Sequence, residues 1–198
     1  MNEQQYDQYL NIETEGYQQG YPKRIDYHRY EPTPYKALDQ LFNEYNLPQQ
    51  AVCVDIGCGK GRVPIYLHEK FRVRTKGIEM DPKFFAAAEH NLLQYKLKHR
   101  LKAGSIEFFH QLGEQYVVQK HDNVFFFFNP FSIHIFRHVL NNIIKSYEQD
   151  PRELHFIFYY PSPEYIDFLL NYPILKLLQE VRISNERNLN ERIVIFTT

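Results

Sequence analysis

Tryptophan is absent from the chain, and cysteine occurs only twice, as Cys53 and Cys58. Two thiols cannot make the disulfide framework of a small secreted domain, and these two do not have C-x-x-C spacing. The first ten residues, MNEQQYDQYL, lack the basic start and apolar core of a signal peptide. No apolar run approaches the roughly 18 residues that predict a membrane span. We therefore expect a cytoplasmic protein with reduced cysteines and no membrane contact.

The chain also lacks an excess of charge of either sign. Its 23 lysines and arginines nearly balance 24 aspartates and glutamates, which gives a formal net charge of −1. The composition therefore provides no overall basic field that would attract nucleic acid. One local basic run lies in the range 96–102, and we interpret it as a solvated surface segment. The alternative is a contact with RNA or with an anionic protein.

Apolar residues are plentiful, because 43% of the 198 residues are hydrophobic and 16% are aromatic. This is enough to form the core of one domain. We predict an N-terminal part, residues 1–48, which is an arm rich in Tyr and Gln followed by a helix. Residues 49–198 are predicted to form the main domain. The helix is indicated by apolar residues at helical spacing from Tyr35 to Tyr45, with Thr33 as its N-cap.

The arm, residues 1 to about 30, is polar and is interrupted by glycine and proline. One interpretation is a loosely ordered segment. The other is a lid over a cleft, because extensions next to a site often carry specificity. Four tyrosines would form this lid: Tyr17, Tyr21, Tyr27 and Tyr30.

The most informative stretch is V-C-V-D-I-G-C-G-K-G-R, residues 52–62. Its apolar start, Ala51 to Val54, predicts a strand buried on both faces, because hydrophobicity does not alternate along it. Asp55 stands where the strand ends. Three alternating glycines then allow a sharp turn and a close approach of the backbone to a ligand. A helix is expected from Arg62 onward.

Strands and helices alternate along the rest of the main domain. Further strands are predicted at 72–80, 98–105, 123–128, 154–160, 175–183 and 192–197. Helices are predicted after Asp81, from Ile133 to Tyr147 and from Glu164 to Leu170, with a short one from Ile106 to Gly113. This order predicts an α/β fold with a doubly wound, mostly parallel, seven-stranded Rossmann-like sheet and an antiparallel edge strand.

The glycine loop favours one ligand class over another. A dinucleotide fold requires G-x-G-x-x-G, so that a pyrophosphate lies on the helix N-terminus. Here the glycines follow G-x-G-x-G, and Arg62 occupies the position of the last glycine. A carboxylate at Asp55 repels phosphate but suits an ammonium group. The predicted ligand therefore carries an amino group and lacks phosphates.

The motif D-I-G-C-G-K-G-R resembles the first motif of the class I S-adenosylmethionine-dependent methyltransferases, and the resemblance extends in order over residues 51–198. It implies S-adenosyl-L-methionine as cofactor. The acid Asp55 would serve the amino group of the methionine moiety, and Glu79, at the end of the second strand, would hold the ribose hydroxyls. The resemblance implies this cofactor-binding set: Asp55, Gly57, Cys58, Gly59, Gly61, Glu79, Met80, Ser105 and Ile106. The last two stand where the family often has an acid near the adenine.

The fourth strand ends in Asn129-Pro130-Phe131, which resembles the N-P-P-Y/F motif of enzymes that methylate planar amino nitrogens. An amide oxygen and a backbone carbonyl would orient the NH₂ group, and an aromatic ring would stack on the flat acceptor. These three residues are the predicted transfer site. The chain has one proline where the motif has two. An Asn-Pro turn that merely ends a buried strand is the alternative.

The methyl acceptor stays open at this point between nucleic acid, protein and a small molecule. Two other functions are weighed: a protein that binds the cofactor without transfer, and a nicotinamide-dependent dehydrogenase. We predict no metal site, since His134 and His138 share a helix face without a third ligand. Either histidine, Tyr30 or Tyr160 could act as a base, and the segment 161–163 could border the substrate pocket.

Overall fold

Seven strands form one mixed sheet in a computed structural model that describes residues 1–16, 26–184 and 188–198. The strands are β1 Val52–Ile56, β2 Arg74–Glu79, β3 Ile106–His110, β4 Val124–Phe127, β5 His155–Tyr159, β6 Lys176–Arg182 and β7 Arg192–Thr197. Their order is β3-β2-β1-β4-β5-β7-β6. Strands β1 to β5 are parallel, and β7 lies antiparallel between β5 and β6. The predicted fold class is confirmed.

Helices cover both faces of this sheet. They are α1 Glu3–Leu10, α2 Tyr35–Glu44, α3 Arg62–Phe71, α4 Pro82–Lys98, α5 Ile133–Gln149 and α6 Pro163–Leu170, with a 3₁₀ turn at Gly113–Gln115. All five residues of β1 and all four of β4 are buried. Alternate side chains of β1 therefore enter two separate apolar cores, Cys53 on one face and Val54 on the other.

Strand β1 occupies the position that organises the site. It pairs with β2 on one side and with β4 on the other. The chain leaves β1 toward β2 and returns to β4 on the opposite side, so the loops after β1 and β4 diverge. This divergence creates a crevice at the carboxyl ends of the strands, which is where open α/β sheets bind ligands.

The prediction for residues 98–113 was wrong. Helix α4 continues to Lys98, and the third strand is Ile106–His110 rather than 98–105. The predicted short helix at 106–113 is therefore this strand. Buried Ile106 and Phe108 alternate with exposed Glu107, as expected for a strand whose one face packs on helices. Ser105 and Ile106 consequently lie at the amino end of β3, opposite Thr75, whereas the crevice is at the other end.

The arm is only partly as predicted. Residues 3–10 form the regular helix α1 instead of a loose segment, with a capping box between Asn2 and Gln5. Pro34, and not Thr33, is the residue before α2, and the first N–H of the helix, that of Tyr35, donates to Glu3 Oε1 at 2.9 Å. The predicted lid residues Tyr17 and Tyr21 lie outside the described residues.

The periphery of the sheet has a short connection on one side and an irregular strand on the other. Between β3 and β4 the chain makes only the 3₁₀ turn. At the other side, β6 is the last strand, and its pairing with β7 is shifted between Leu177 and Gln179. Over the described parts of the chain, no helix combines the length and the apolar character required to cross a bilayer.

Candidate cofactor-binding and methyl-transfer site

The glycine loop after β1 has a backbone that side chains would obstruct. Gly57, Gly59 and Gly61 have φ values of 87°, 54° and 84°, in the left-handed region. A Cβ atom on Gly57 would lie 2.8 Å from the Cβ of Pro130, and one on Gly59 would lie 2.1 Å from the Tyr30 ring. The loop therefore requires glycine both for its conformation and for the close approach of its neighbours.

Four N–H groups of this loop, those of the three glycines and of Cys58, are already engaged within the protein. Those of Gly57 and Cys58 donate to the carbonyl of Ile78 at 2.9 and 3.0 Å, and that of Gly61 donates to the carbonyl of Cys58 at 2.9 Å. The N–H of Gly59 donates to Glu79 Oε2 at 2.8 Å. A pyrophosphate needs free N–H groups at this position. The loop therefore does not present a dinucleotide-type phosphate site.

Asp55 is a buried carboxylate at the end of β1, with 6% of its surface exposed. It lines the crevice, and within the described residues it has neither a hydrogen bond nor an ion pair. Burial, and secondarily the charge of Glu79, raise the pKa of Asp55 well above its usual value. An unpaired buried carboxylate is costly, and a cation beside it would remove that cost. The site thus has a place for an ammonium group.

Glu79 lies at the end of β2 and is held in a fixed orientation. One of its oxygens accepts from the N–H of Gly59, and the other accepts from the N–H of Asp81 at 2.7 Å. Burial raises the pKa of Glu79, while these backbone hydrogen bonds oppose the rise. Each carboxylate oxygen retains a further lone pair, so the side chain can still accept hydrogen bonds from hydroxyl groups.

The crevice is a cavity with about 900 Å³ of empty space, part of it open to solvent. Its walls include most of the predicted site: Asp55, Gly57, Cys58, Glu79, Met80, Pro130 and Phe131. Gly59 and Gly61 complete the loop beneath it. Ser105, Ile106 and Asn129 are not among the lining residues.

Gln111 and Phe84 line the cavity and were missed in the sequence. Gln111 follows the end of β3, and its N–H donates to the carbonyl of Glu79 at 3.0 Å. Gln111 therefore stands at the end of the third strand, the position near the adenine that the sequence prediction assigned to Ser105. The signal that could have located it is the alternation in I-E-F-F-H, which moves the strand end to residue 110.

A segment of the arm, residues 26–33, covers this cavity, and we call it the cover segment. The ring of Tyr30 packs on Gly59 and lies 4.6 Å from the Phe84 ring, measured between centroids. The Tyr30 hydroxyl donates to the carbonyl of Thr14 at 2.6 Å. Tyr27 forms an isolated antiparallel bridge with Phe131. Two of the four predicted lid residues, Tyr27 and Tyr30, therefore lie on the cavity.

Arg62, directly after the glycine loop, fixes the arm to the main domain. Its guanidinium is 3% exposed and donates to Glu3, to Thr14 Oγ1 at 2.7 Å and to the carbonyl of Thr33 at 3.0 Å. It also lies 3.9 Å from a carboxylate oxygen of Asp7. Arg62 therefore ties α1 and the cover segment to the start of α3.

The predicted transfer motif has an unusual environment. Asn129 has a φ of 38°, and its side-chain Oδ1 is buried with no hydrogen-bond partner in the described structure. The carbonyl of Pro130 accepts from the N–H of His28 at 3.0 Å. Phe131 is 1% exposed and packs edge-on against Tyr27. Its ring therefore lies within the core and not as an open stacking surface.

No group of three or more metal-ligating side chains occurs among the described residues. His134 and His138 have ring centroids 4.9 Å apart, and both are exposed on α5. They lie outside the residues that line the cavity.

Neither a protein-family model nor a curated protein sequence matches the chain. Solved structures do match the chain. An RNA methyltransferase from Salinibacter ruber, in complex with S-adenosyl-L-homocysteine, is 16% identical, with a TM-score of 0.53 over 84% of this chain and 93% of that one. An rRNA methylase from Streptococcus thermophilus is 12% identical, with a TM-score of 0.56 over 80% and 93%.

A tRNA (uracil-54, C5)-methyltransferase from Pyrococcus abyssi, also with S-adenosyl-L-homocysteine, is 14% identical. Its TM-score is 0.60 over 85% of this chain and 39% of that one. The chain has the fold of the class I S-adenosylmethionine-dependent methyltransferases. In this methyltransferase fold, Asp55 and Glu79 stand at the ends of β1 and β2, in the two places that the sequence motif implies.

Proposed function

We propose that the protein is an S-adenosylmethionine-dependent methyltransferase. The observation that carries the proposal is the buried carboxylate of Asp55, which faces the cavity without a partner among the described residues, above a loop of three left-handed glycines. Asp55 fits the ammonium group of the cofactor, and Glu79 fits the ribose hydroxyls. When bound, the cofactor supplies an electrophilic methyl group.

The protein's part is to bind and orient. The glycine loop lets the cofactor approach the backbone, and Met80 and Gln111 provide the wall on the side of β2 and β3. The cover segment excludes water from the opposite side, with Tyr30 over Gly59. An in-line displacement at carbon depends mainly on such positioning.

Cofactor binding is tested by calorimetry and thermal shift with S-adenosyl-L-homocysteine. We expect stabilisation of the wild type and a loss of affinity of about 1–3 kcal/mol in Asp55→Ala, the cost of leaving a buried ligand group unpaired. NADH serves as the control for the dehydrogenase alternative. Stabilisation by NADH without an effect of S-adenosyl-L-homocysteine would contradict the proposal.

The charges on the cavity walls indicate which class of methyl acceptor fits. The similar structures are named for RNA substrates, but a second cavity, which shares Glu31, Arg62 and Phe128 with the first, has a largely acidic wall. Its other charged residues are Glu3, Glu15 and Glu191. Carboxylates in these positions repel a phosphate backbone. We therefore propose a neutral or cationic acceptor of low molecular weight.

The acceptor proposal is tested with tritium-labelled S-adenosylmethionine and a cell extract separated into RNA, protein and small molecules. Label is expected in the small-molecule fraction. Label in RNA alone would overturn the charge argument while leaving the methyltransferase assignment intact.

Asn129 is proposed to act in transfer and not in cofactor binding, because its unpartnered Oδ1 lies two residues after β4, between Phe128 and Pro130, which line the cavity. Asn129→Ala is expected to lower the transfer rate and to leave the S-adenosyl-L-homocysteine affinity unchanged. Asn129→Gly is the matched variant, since glycine accepts the positive φ that alanine does not. Equal activity of the wild type and both variants would remove Asn129 from the site.

The second candidate is a protein that binds the cofactor without transferring its methyl group. The buried ring of Phe131 favours it, since a side chain that is 1% exposed does not offer the open stacking surface that the motif requires. Binding of S-adenosyl-L-homocysteine with no labelled fraction would support this candidate.

A further inference from the structure

His28 belongs to the cover segment, and it binds two successive carbonyl groups at the end of β4. Its backbone N–H donates to the carbonyl of Pro130 at 3.0 Å. Its side-chain Nδ1 lies 2.6 Å from the carbonyl oxygen of Asn129. One residue of the arm therefore donates to two of the three backbone carbonyls of the predicted transfer motif.

The contact with Asn129 defines the tautomer of the imidazole. A carbonyl oxygen can only accept, so Nδ1 must carry the hydrogen. In a neutral imidazole the other nitrogen, Nε2, then holds a lone pair. The remaining hydrogen-bonding nitrogen of His28 is thus a base.

The position of His28 is also defined. The residue lines the cavity together with Asp55 and Pro130, at the point where the ends of β1 and β4 diverge. The two residues before it hold its backbone, because the N–H of Ser132 donates to the carbonyl of Asp26 at 2.7 Å and Tyr27 forms a bridge with Phe131. His28 is exposed. An accessible, tautomer-fixed imidazole therefore lies beside the proposed cofactor.

We propose that His28 is the general base of methyl transfer. The inference rests on the proposed function. The acceptor atom, bearing a hydrogen, forms a bond to the methyl carbon of the cofactor. The bond from that carbon to sulfur breaks, and its electron pair stays on sulfur. The hydrogen of the acceptor leaves as a proton to Nε2, and the resulting imidazolium later releases it to water.

This assignment selects a class of acceptor. The carbonyl of Pro130 already accepts one hydrogen bond, from the N–H of His28, and keeps one further lone pair. A hydroxyl gives up its proton as its oxygen attacks, and a protonated amine must give one up before its nitrogen can attack, so both need a base, which Nε2 supplies. We infer that the acceptor presents one of these two groups.

Several charged groups face the same cavity and set the field around the imidazole. From the cover segment they are Arg29 and Glu31; from the sheet and helices they are Asp55, Arg62, Glu79 and Asp81. Asp26, in the same segment as His28, faces Ser132, since the Ser132 hydroxyl and Asp26 Oδ1 are 3.3 Å apart. Carboxylates outnumber cations in this set.

The test uses His28→Asn and His28→Ala. The amide N–H of asparagine can donate to the Asn129 carbonyl in place of Nδ1, but asparagine offers no base, whereas alanine removes both functions. The control is His138→Asn, an exposed histidine on α5 outside the cavity. The rate of tritium transfer into the fraction that the wild type labels is measured from acidic to alkaline pH. S-adenosyl-L-homocysteine shifts are measured in parallel.

For the wild type we expect a rate that rises with pH as the imidazole loses its proton. His28→Asn is expected to lose this acid limb and about 10²–10⁴-fold in rate, the usual contribution of a general base, while keeping the thermal shift. A rate of His28→Asn within threefold of the wild type, or an unchanged acid limb, overturns the inference. A wild type that binds S-adenosyl-L-homocysteine but labels no fraction overturns it as well.

Failure of the proposed function has a separate signature, namely no thermal shift of the wild type with S-adenosyl-L-homocysteine. The tautomer can be checked without any acceptor, by long-range ¹H–¹⁵N spectra of the imidazole that compare the wild type with His28→Asn. The hydrogen is expected on Nδ1. A hydrogen on Nε2 would contradict the role of that nitrogen as base.

Discussion

The carboxylate of Glu79 accepts a hydrogen bond of 2.8 Å from the backbone N–H of Gly59. Glu79 ends β2, whereas Gly59 lies in the loop after β1, so the bond joins two strand ends across the cavity floor. The second oxygen accepts from Asp81 at 2.7 Å, where α4 begins. One side chain thereby joins the glycine loop to the start of α4, and both bonds fix the orientation of the proposed cofactor ligand.

Glu79→Gln tests this arrangement. An amide has a single acceptor oxygen, so one of the two backbone N–H groups loses its partner, at a cost of about 1–3 kcal/mol. We expect weaker binding of S-adenosyl-L-homocysteine by a similar amount, measured by calorimetry. Glu107→Gln on β3, whose side chain is exposed, is the control and should bind as the wild type does. Equal affinities of both variants would exclude Glu79 as a ligand.

The burial of Asp55 should lower the stability of the free protein and favour binding of the cofactor. Its pKa is raised by burial and by Glu79, so the folded protein holds this proton to higher pH than the unfolded chain. Between the ordinary carboxyl pKa of about 3.9 and the raised value, folding takes up a proton. The free energy of unfolding should therefore fall as the pH rises through this window.

Asp55→Asn removes this effect. At neutral pH we expect the free variant to be more stable than the wild type, with a melting temperature higher by about 2–4 °C for each kcal/mol gained. It should lose the stabilisation by S-adenosyl-L-homocysteine, whose affinity for the wild type should increase with pH as Asp55 ionises. A variant less stable than the wild type at neutral pH, yet normal in binding, would show that Asp55 is a structural residue.

Gly57→Ala separates steric contact from backbone strain. Both Gly57 and Gly104 have a left-handed φ, 87° and 71°, but only at Gly57 does a new Cβ meet an atom, Pro130 Cβ at 2.8 Å. Gly104→Ala should cost about 1 kcal/mol in urea unfolding. Gly57→Ala should cost more and should also weaken cofactor binding, because Pro130 must move. Equal costs at the two positions would contradict the close approach.

Arg62→Ala should release α1. The change leaves the carboxylate of Asp7 buried without its cation, and removal of one partner from a buried ion pair costs about 3–5 kcal/mol. Proteolysis should become faster at the arm, and the midpoint of urea unfolding should fall. Arg182→Ala, with a side chain 79% exposed, is the matched control and should behave as the wild type. Protection of the arm equal to that of the wild type would contradict this anchoring role.

The sequence predicts the sheet well where strands are buried on both faces. The runs before Asp55 and Asn129 are continuous and apolar, and each became a central strand. The prediction of the third strand failed because a five-residue segment has too few positions to distinguish the strand period of 2 residues from the helix period of 3.6. Neither glycine nor proline occurs between Pro82 and Gly104, so the sequence does not mark the end of α4. The misplaced strand then moved the adenine-side prediction from Gln111 to Ser105.

The arm shows a different limit. Asn2 and Gln5 make a capping box that the sequence contains, but the helix is stabilised by Arg62, which lies 59 positions after Glu3. A short helix gains most of its stability from tertiary contacts. Pairs so far apart in sequence are not visible in local patterns. Local patterns likewise do not show the contacts of His28, whose partners are carbonyl groups 101 and 102 residues later.

The shifted pairing between Leu177 and Gln179 has a consequence for solubility. Over the described residues β6 pairs only with β7, so its outer backbone groups form an open sheet edge, next to Leu177 and Leu178, which are 51% and 49% exposed. Such an edge invites strand addition by another molecule. The bulge twists the edge out of register, and Lys176 and Arg182 place charges at both ends of the strand. This irregular strand therefore protects the protein against self-association into extended β-structure.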